Sequence, residues 1–315
     1  MKRKTEECSF RTSIGGQALI EGILMRGPKM QAVVCRTQDG LVEKTEELKL
    51  VRDKYPILGL PFVRGVVTLF DSLVKGMSAL TYSASLVPLE DQGEPDKIDQ
   101  WIEAHFEGEK AQKLIIATGV VLGVALSVFL FIFLPAFLIG LVPALKENYF
   151  VRNLTEGAMR IVILLVYMRL ICEVGDVKRL FAYHGAEHKT IFCYEHGKPL
   201  TVENVRPESR FHPRCGTSFL LVVIVVSILV NSVVRLSNSF ARMGCHLLLL
   251  PVVVGVSYEI NRWCGRHDNW LSAVLSAPGK WLQRMTTNEP DDGMIECAIR
   301  ALELVIPDEK GSDAW

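Results

Sequence analysis

An uncharged run of 32 residues, at positions 114–145, constrains the fold of this chain more than any other feature. The run reads LIIATGVVLGVALSVFLFIFLPAFLIGLVPAL. About 20 helical residues cross the hydrocarbon core of a bilayer, so the run is long enough for one transmembrane helix with residues to spare. Pro135 has no N–H to donate and is predicted to kink the second half of that helix.

Three further segments are candidates for transmembrane helices. Residues 215–234 are uncharged, and residues 243–258 are also free of Lys, Arg, Asp and Glu but reach full length only by including Glu259. Residues 157–174 are interrupted by two arginines, whose side chains can extend to the membrane interface. We therefore predict four spans, of which the segment at 157–174 is the second in chain order.

The distribution of Lys and Arg predicts the orientation of these spans. The link between the second and third spans carries Lys178, Arg179, Lys189, Lys198, Arg206, Arg210 and Arg214, whereas the other two links carry two basic residues each. The positive-inside rule then puts this link and both termini in the cytoplasm. If the second segment does not span, the link lies outside instead, so the multi-pass topology depends on that segment.

The charge balance argues against one class of partner. Lys and Arg together number 35, and Asp and Glu together also number 35. The chain therefore lacks the excess of positive charge that nucleic-acid binding requires. Because 49% of the residues are hydrophobic and concentrated in runs, the lipid bilayer is the predicted surrounding.

Residues 1–55 are predicted to form a small cytosolic β unit. Apolar and polar residues alternate between positions 12 and 53, around turn signals at Gly27-Pro28 and Asp39-Gly40. Such alternation with short turns is typical of antiparallel strands. Gly15-Gly16 is interpreted as a tight start of a strand rather than an anion-binding loop, because no phosphate-binding glycine pattern follows it.

Residues 56–112 are predicted to contain an interfacial helix and a charged linker. The segment 56–87 is apolar but carries Arg64, Asp71 and Lys75, whose spacings of seven and four put them on one helix face. An amphipathic helix of this kind suits the membrane interface, while packing on the β unit or on the spans is an equal alternative. The rest of this region is rich in charge and predicts the linker.

Residues 113–263 then form the four-helix transmembrane region, with a cytosolic His/Cys loop at 176–216, and residues 264–315 form a cytosolic helical tail. In the tail, DDGMIECAIRALELV has an apolar helical stripe that follows acidic residues suited to a helix N-terminus. The stripe favours core packing over a partner-binding face. The predicted fold is a mainly α membrane protein with about four transmembrane helices, a small N-terminal β unit and an interfacial amphipathic helix.

The stretch AYHGAEHKTIFCYEHG, at residues 182–197, concentrates groups that carry chemistry. His184, Glu187 and His188 spell H-x-x-E-H, and two histidines four residues apart on a helix project from the same face. Such a pair can occupy two corners of a tetrahedral zinc site. Glu187 lies beside them, where a carboxylate can act as the catalytic general base toward water at the metal.

A second pair strengthens the prediction of a metal site. The motif FHPRCGTS holds His212 and Cys215 in a Pro- and Gly-containing turn on the same predicted side of the membrane. Glu259, near the cytosolic end of the fourth span, is an acidic group that needs a partner or a function at membrane depth. We predict that His184 and His188 bind zinc and that His212, Cys215 or Glu259 adds the third ligand. A hydrogen-bonded polar core without metal, and an ion pair of Glu259 with an arginine, stay open as alternatives.

Four motifs in the order IGGQALIEGILMRGP, YHGAEHKTIFCYEHG, FHPRCGTSF and TTNEPDDGMIECAIRAL extend over nearly the whole chain. Together they resemble the motifs of the YqhQ-type family of bacterial membrane proteins. Members of that family are predicted to be metal-dependent enzymes. That family label rests on the same His, Glu and Cys motifs, so the resemblance implies a location in the bacterial plasma membrane and a single architecture for the whole chain, and it adds little to the argument for catalysis.

Two functions from different classes fit these observations. The first is a membrane-bound, metal-dependent hydrolase that acts at the cytosolic face on a lipid or a membrane peptide. The second is a non-enzymatic membrane protein, in which the same side chains hold a structural metal or a polar core and the cytosolic surface docks a partner such as membrane-protein assembly machinery or a transporter. A closed set of four ligands favours structure, whereas three ligands with Glu187 close to an open position favour catalysis.

Overall fold

The computed structural model describes residues 10–49, 55–87, 109–145, 148–236, 238–267, 269–309 and 311–314. The chain divides into two compact units. Unit 1 comprises Met1–Leu86, Tyr167–Val226 and Pro251–Trp315, and unit 2 comprises Val87–Val166 and Ser227–Leu250. The predicted linker at 88–112 lies outside the residues whose side chains are described.

The N-terminal region forms a four-stranded antiparallel sheet, as the alternation of apolar and polar residues predicts. The strands follow one another in space in chain order: β1 (Gly15–Leu19), β2 (Gly22–Arg26), β3 (Met30–Thr37) and β4 (Gly40–Glu47). Gly27-Pro28 lies between β2 and β3, and Asp39-Gly40 lies where the chain turns into β4. In the turn after β2, the Gly27 N–H donates to the Met30 carbonyl (2.8 Å), and Gly40 has the positive φ (126°) that favours glycine.

The helices follow the sheet and make up most of the described chain. They are α1 (Val63–Ser85), α2 (Glu109–Val128), α3 (Leu134–Gly140), α4 (Tyr149–Ile171), α5 (Gly175–Glu195), α6 (Val202–Val205), α7 (Gly216–Ser232), α8 (Ser239–Arg266), α9 (Trp270–Thr286) and α10 (Asp292–Glu303). Short 3₁₀ turns lie at Pro56–Gly59 and Pro143–Leu145.

The core of unit 1 lies on the two faces of the sheet. Because successive side chains of a strand point to opposite faces, Ile23 and Met25 pack on one side, in a cluster with α5 and α10. Leu24 points to the other side, in a cluster that includes Ala79 of α1. The sheet is therefore covered by helices on both faces, which buries four of the five residues of β2.

The C-terminal stripe is a packing surface of this core. Asp291 caps α10 by accepting a hydrogen bond from the Met294 N–H (2.8 Å), as the acidic start of the segment predicts. Met294, Ala298 and Leu302 are buried in the same cluster as the sheet. The structure thus joins the predicted helical tail and the predicted β unit in one core.

Two helical stretches of the described chain are long and apolar enough to cross a membrane, Leu114–Gly140 and Phe240–Arg266. They correspond to the first and fourth predicted spans. The third predicted span forms the apolar helix α7, which has 17 residues, and most of the second lies within α4, which carries several charged residues. The count of four transmembrane helices stays a prediction.

The first of these stretches changes its helical form just before Pro135. A π-helical turn at Phe129–Phe133 separates α2 from α3, and it ends two residues before the proline. Pro135 has no N–H to donate to the carbonyl of Phe131, four residues back. That carbonyl accepts a hydrogen bond from Arg160 Nε (3.0 Å) instead of a proline N–H.

The predicted interfacial segment forms α1, which packs on the sheet. Asp71 pairs with Lys75 on its own helix (3.0 Å) and with Arg26 of β2 (2.6 Å), so the predicted polar face is turned toward the sheet. Small residues Gly76, Ala79 and Ser83 are buried. The opposite face exposes the large apolar side chains of Phe70, Leu73, Val74 and Met77.

Helix α9 repeats this inverted pattern within unit 1. Gln283 and Thr286 are buried. In contrast, Trp270 and Val274 are more than half exposed, and Trp281 is half exposed. In a protein surrounded by water alone, the apolar face of an amphipathic helix points inward. Outward faces with several large apolar side chains, as on α1 and α9, are typical of contact with lipid.

The packing of α10 on the sheet yields a stability prediction. Leu302 is fully buried, so Leu302→Ala should lower the free energy of unfolding by about 2–5 kcal/mol. The exposed Leu41 of β4 is a matched control, for which the alanine variant should cost about 0.5 kcal/mol or less. Unfolding of the purified variants in detergent, followed by circular dichroism, measures both; equal effects would contradict the packing.

Candidate metal centre

Three side chains of unit 1 form a group suited to a metal ion. His184 and His188 lie one turn apart on α5, and Cys215 immediately precedes α7. One ligand atom of each residue lies within 4.8 Å of the others, and His184 Nε2 is 3.1 Å from Cys215 Sγ. Ligand atoms of a tetrahedral zinc site with two nitrogens and a sulfur are about 3.3–3.6 Å apart, so small side-chain movements would complete this geometry.

Backbone carbonyls orient both imidazoles. His184 Nδ1 is 2.8 Å from the Thr286 carbonyl oxygen, and His188 Nδ1 is 2.6 Å from the Arg210 carbonyl oxygen. A carbonyl only accepts, so each Nδ1 carries the hydrogen when the ring is neutral, and each Nε2 keeps its lone pair. Histidine ligands of metals are commonly fixed in this way, which sets the tautomer and the ring orientation.

Gly185 permits the contact that brings the Thr286 carbonyl to His184. A Cβ atom on Gly185 would collide with the backbone carbonyl of Asn288. The same segment is tied to α5 by the Asn288 N–H, which donates to the Phe181 carbonyl (2.8 Å). A glycine is costly inside a helix, by about 1 kcal/mol relative to alanine, and here the close approach of two backbones explains it.

The surroundings of Cys215 stabilise a thiolate, the form that binds metals. Burial alone would raise the pKa of the Cys215 thiol, but the imidazoles of His188 and His184 outweigh burial and lower that pKa well below its ordinary value. Burial would likewise lower the pKa of His184, while the Cys215 sulfur raises it to about 9. The Thr217 N–H, at the start of α7, also donates to Cys215 Sγ (3.4 Å).

Glu187 lies between the two histidines in sequence and is held on one side only. Its Oε1 accepts a hydrogen bond from the Gly16 N–H (2.9 Å), while its buried Oε2 has no hydrogen-bond partner among the described residues. Burial raises the pKa of Glu187, and the positive charge that His184 and His188 can carry opposes that rise. The carboxylate therefore has one oxygen anchored to β1 and one available for chemistry.

His212 is adjacent to the group but faces a different set of partners. Its ring centre is 5.6 Å from that of His188, yet its Nε2 lies 3.5 Å from Glu195 and 3.3 Å from Arg214. Complete burial lowers the pKa of His212 to about 4. His212 thus stands as a neutral neighbour of the His184, His188 and Cys215 group, and its predicted role as a ligand is untested.

Glu259 lies outside this group, in an ion pair with Arg64 of α1. Arg64 Nε donates to Glu259 Oε1 at 2.7 Å, and the Phe62 N–H donates to the same oxygen at 3.3 Å. Both partners lie in unit 1. This pairing matches the alternative of an arginine partner for Glu259, and the metal-ligand role predicted for Glu259 has no contact to support it.

A cavity of about 620 Å³ lies beside the three candidate ligands. Its lining includes His184, Glu187, His188, His212, Arg214 and Cys215, together with residues 12–18 and the apolar side chains of Leu24, Phe181 and Ile191. A volume of this size accommodates a small-molecule or peptide-sized ligand. The wall combines the polar groups of the candidate metal site with apolar side chains and with other polar groups, such as Arg26 and Ser72.

Sequence reasoning missed the backbone groups that orient the site. These are the carbonyls of Thr286 and Arg210 and the N–H of Gly16. Backbone groups have no residue-type signature, but glycines mark two of the close approaches. A Cβ atom on Gly16 would lie 3.1 Å from the Glu187 carboxyl carbon and 2.5 Å from the Leu24 carbonyl oxygen.

Comparison with known proteins assigns the chain to a family. Residues 60–308 match the family described as "Protein of unknown function (DUF1385)". The chain belongs to the DUF1385 family. It is also 34% identical over 297 residues to "Uncharacterized protein YqhQ" of Bacillus subtilis (strain 168), an alignment that covers 93% of this chain and 92% of that relative. The resemblance inferred from the four motifs is thereby confirmed, and no solved structure matches the chain.

The geometry predicts which substitutions remove a bound metal. We expect the DUF1385 protein, purified without chelator, to carry about one zinc ion per chain, and His188→Ala to lose most of it because one of three ligands is gone. Cys215→Ser, which nearly preserves the shape of the side chain, should lose metal as well. Inductively coupled plasma mass spectrometry measures the zinc content.

The exposed His267 provides the control for these variants. The His267→Ala variant should keep the zinc content of the wild type, because His267 is exposed and is not part of the group formed by His184, His188 and Cys215. A wild-type protein without metal, or a His188→Ala variant with undiminished metal, would contradict the assignment of ligands.

Proposed function

We propose that this chain is a membrane-bound, zinc-dependent hydrolase whose catalytic centre is formed by His184, His188, Cys215 and Glu187. The observation that carries the proposal is the convergence of these four side chains on one cavity. Three of them supply the ligand atoms, and the fourth presents an unpartnered carboxylate oxygen. A set of three protein ligands leaves one coordination position for water or substrate, as in catalytic zinc sites.

The donor set favours zinc over the hard cations. Two imidazoles and a thiolate suit zinc, whereas magnesium and calcium prefer oxygen ligands. The tautomers fit as well, since the carbonyls of Thr286 and Arg210 fix both Nδ1 hydrogens and direct the lone pairs of Nε2 away from them. A bound zinc ion supplies a Lewis acid that polarises a carbonyl or phosphoryl oxygen and lowers the pKa of water.

Glu187 is proposed as the general base. The Gly16 N–H holds Oε1, which fixes the direction of the carboxylate and leaves Oε2 to accept a proton. Burial raises the pKa of Glu187, which makes its carboxylate a stronger base than that of an exposed glutamate. The same carboxyl can then return the proton to the leaving group.

Membrane insertion is the second part of the proposal. Two stretches long and apolar enough to span, together with the outward apolar faces of α1 and α9, support a multi-pass protein of the bacterial plasma membrane. We propose four spans with both termini in the cytoplasm, which puts the residue 176–216 region at the cytosolic face. The substrate would then be a lipid or a membrane peptide that approaches from the inner leaflet.

One contact favours the non-enzymatic alternative. Glu187 joins α5 to β1 through Gly16, so the carboxylate also has a structural role, and a metal bound nearby would stiffen the same junction. In that alternative, the His184, His188 and Cys215 site stabilises the fold, and the cytosolic surface docks a partner protein. The two functions differ in what happens when the carboxylate becomes an amide.

Glu187→Gln is the variant that separates catalysis from structure. The amide oxygen can still accept from Gly16, so we expect normal zinc content and folding, with hydrolytic activity reduced about 10²–10⁴-fold through loss of the base. Wild type and variant, reconstituted in vesicles of total bacterial lipid with membrane peptides, are compared by mass spectrometry of the products. Glu203→Gln, an exposed residue of α6, is the matched control.

The outcomes of this comparison are distinct. Products formed by the wild type and by Glu203→Gln, abolished by chelation and absent for Glu187→Gln, support the hydrolase. A wild type that binds zinc and yields no product refutes the enzymatic proposal, and loss of zinc in Glu187→Gln assigns the carboxylate to the metal site itself.

The four-span topology has its own test. Glu203 and Arg235 are exposed and lie in links predicted on opposite sides of the membrane. With an impermeant maleimide, Arg235→Cys should be labelled in intact cells and Glu203→Cys only after lysis, each corrected for labelling of the native cysteines. The reverse pattern, in which Glu203→Cys is labelled in intact cells and Arg235→Cys only after lysis, would show that residues 157–174 do not span.

A further inference from the structure

A second polar cluster is buried in unit 2, apart from the candidate metal site. Arg152, Glu156 and Arg160 recur at intervals of four on α4, and Arg242 and His246 are four apart on α8, so each set lies on one helix face. Their exposed fractions are 0–6%. We call these five residues the arginine cluster.

The arginine cluster is linked by close contacts. Arg242 Nη2 is 2.8 Å from Glu156 Oε1, and Arg160 Nη2 is 3.8 Å from Glu156 Oε2. Arg160 Nη2 is also 3.0 Å from His246 Nδ1. A guanidinium only donates, so His246 Nδ1 is the acceptor and the hydrogen of this neutral ring lies on Nε2.

The cluster therefore contains more positive than negative charge. Glu156 contacts Arg242 and Arg160, the histidine is neutral, and Arg152 donates to the Leu236 carbonyl and not to a carboxylate among the described residues, so the cluster keeps an excess of positive charge. A buried charge without a counter-ion costs several kcal/mol, and arginine cannot lower that cost by losing its proton. The charge excess calls for an anion.

Two donors of the cluster also need an acceptor. Arg152 Nε and His246 Nε2 are buried and have no hydrogen-bond partner among the described residues. Two other donors near the start of α4 already have acceptors. Arg152 Nη2 donates to the Leu236 carbonyl (2.8 Å), and Asn153 Nδ2 donates to the Asn231 carbonyl (2.7 Å). Arg152 Nε and His246 Nε2 therefore each keep one hydrogen for a further acceptor.

The position of the cluster along its helices adds to the positive potential. Arg152 is the fourth residue of α4, and Arg242 is the fourth residue of α8. The first turn of a helix presents unpaired N–H groups and the positive end of the helix dipole, and anions bind there. Arg152 and Arg242 thus lie in the first turns of two helices, where the Asn148 and Asn238 side chains accept from the Val151 and Ala241 N–H groups.

We propose that the arginine cluster binds a phosphate-type anion, either the phosphate of a lipid headgroup or free phosphate. The planar fork of a guanidinium matches two phosphate oxygens, and a phosphate with one or two negative charges compensates the excess. Arg152 donates its Nε hydrogen to that anion, while Glu156 keeps Arg242 and Arg160 in place. This site is independent of the proposed zinc site.

The first test measures what the wild-type protein binds. The full chain, purified in a neutral detergent without phosphate, is denatured and partitioned between organic and aqueous phases, and phosphorus is quantified by ³¹P NMR in each. About one phosphorus atom per chain in the organic phase identifies a phospholipid, and the same amount in the aqueous phase identifies free phosphate. A second measurement follows the thermal stability of the protein on addition of inorganic phosphate, or of phosphatidylglycerol in phosphatidylcholine nanodiscs. The proposal is overturned if neither phase contains phosphorus and neither addition raises the thermal stability.

Variants then locate the site. Arg152→Gln should weaken binding of the identified anion at least tenfold by isothermal titration, and Arg152→Lys, which keeps the charge but lacks Nε, should show a smaller loss. The control is Arg235→Gln, an exposed arginine between α7 and α8, which should bind as the wild type does. Equal affinity in all folded variants would place any bound phosphate elsewhere and refute the site. If Arg152→Gln does not fold, the lysine variant decides the same question.

Discussion

The last turn of α9 and the residues just after it are the element on which the candidate metal site depends. The side-chain amide of Gln283 makes two hydrogen bonds to the backbone of His212. Its Oε1 accepts from the His212 N–H, and its Nε2 donates to the His212 carbonyl, both at 2.8 Å. Thr286, three residues later, accepts from His184. The last turn of α9 therefore positions both the segment His212–Cys215 and His184 of α5. Gly185 has no Cβ atom, which allows the chain just after α9 to lie close to the backbone of α5.

The sequence predicts which residues lie near the candidate metal site better than it predicts which of their side chains face it. A spacing of four placed His184 and His188 on one face of α5, and the structure confirms that they lie together with Cys215. The motif that supplies Cys215 also contains His212, and no pattern tells which side chain faces the histidines. That choice depends on Glu195 and Arg214, which surround the His212 ring and are fixed only in the folded chain.

Local patterns also predict elements more securely than their packing. Alternation and turn residues predict the four-stranded sheet, and the acidic start and apolar stripe predict α10. The burial of α10 against that sheet joins segments more than 250 residues apart, as in the hydrogen bond from Cys297 Sγ to the Val34 carbonyl. Hydrophobic periodicity shows that a helix face is buried, but it does not identify the element that covers this face. The prediction from sequence therefore assigned the β unit and the C-terminal helix to separate regions, although they share one core.

The charges of the candidate metal site argue for a cation in the cavity. Glutamine at position 187 could accept the Gly16 N–H as well as glutamate does, without the cost of burying an ionisable group. Against the effect of burial, Cys215 raises the pKa of His184 to about 9, so His184 can keep a proton beside the Cys215 thiolate, and the charges of these two side chains balance each other. The ionised carboxylate of Glu187 adds a negative charge that the bond to Gly16 does not require, and a cation held by His184, His188 and Cys215 would compensate that charge.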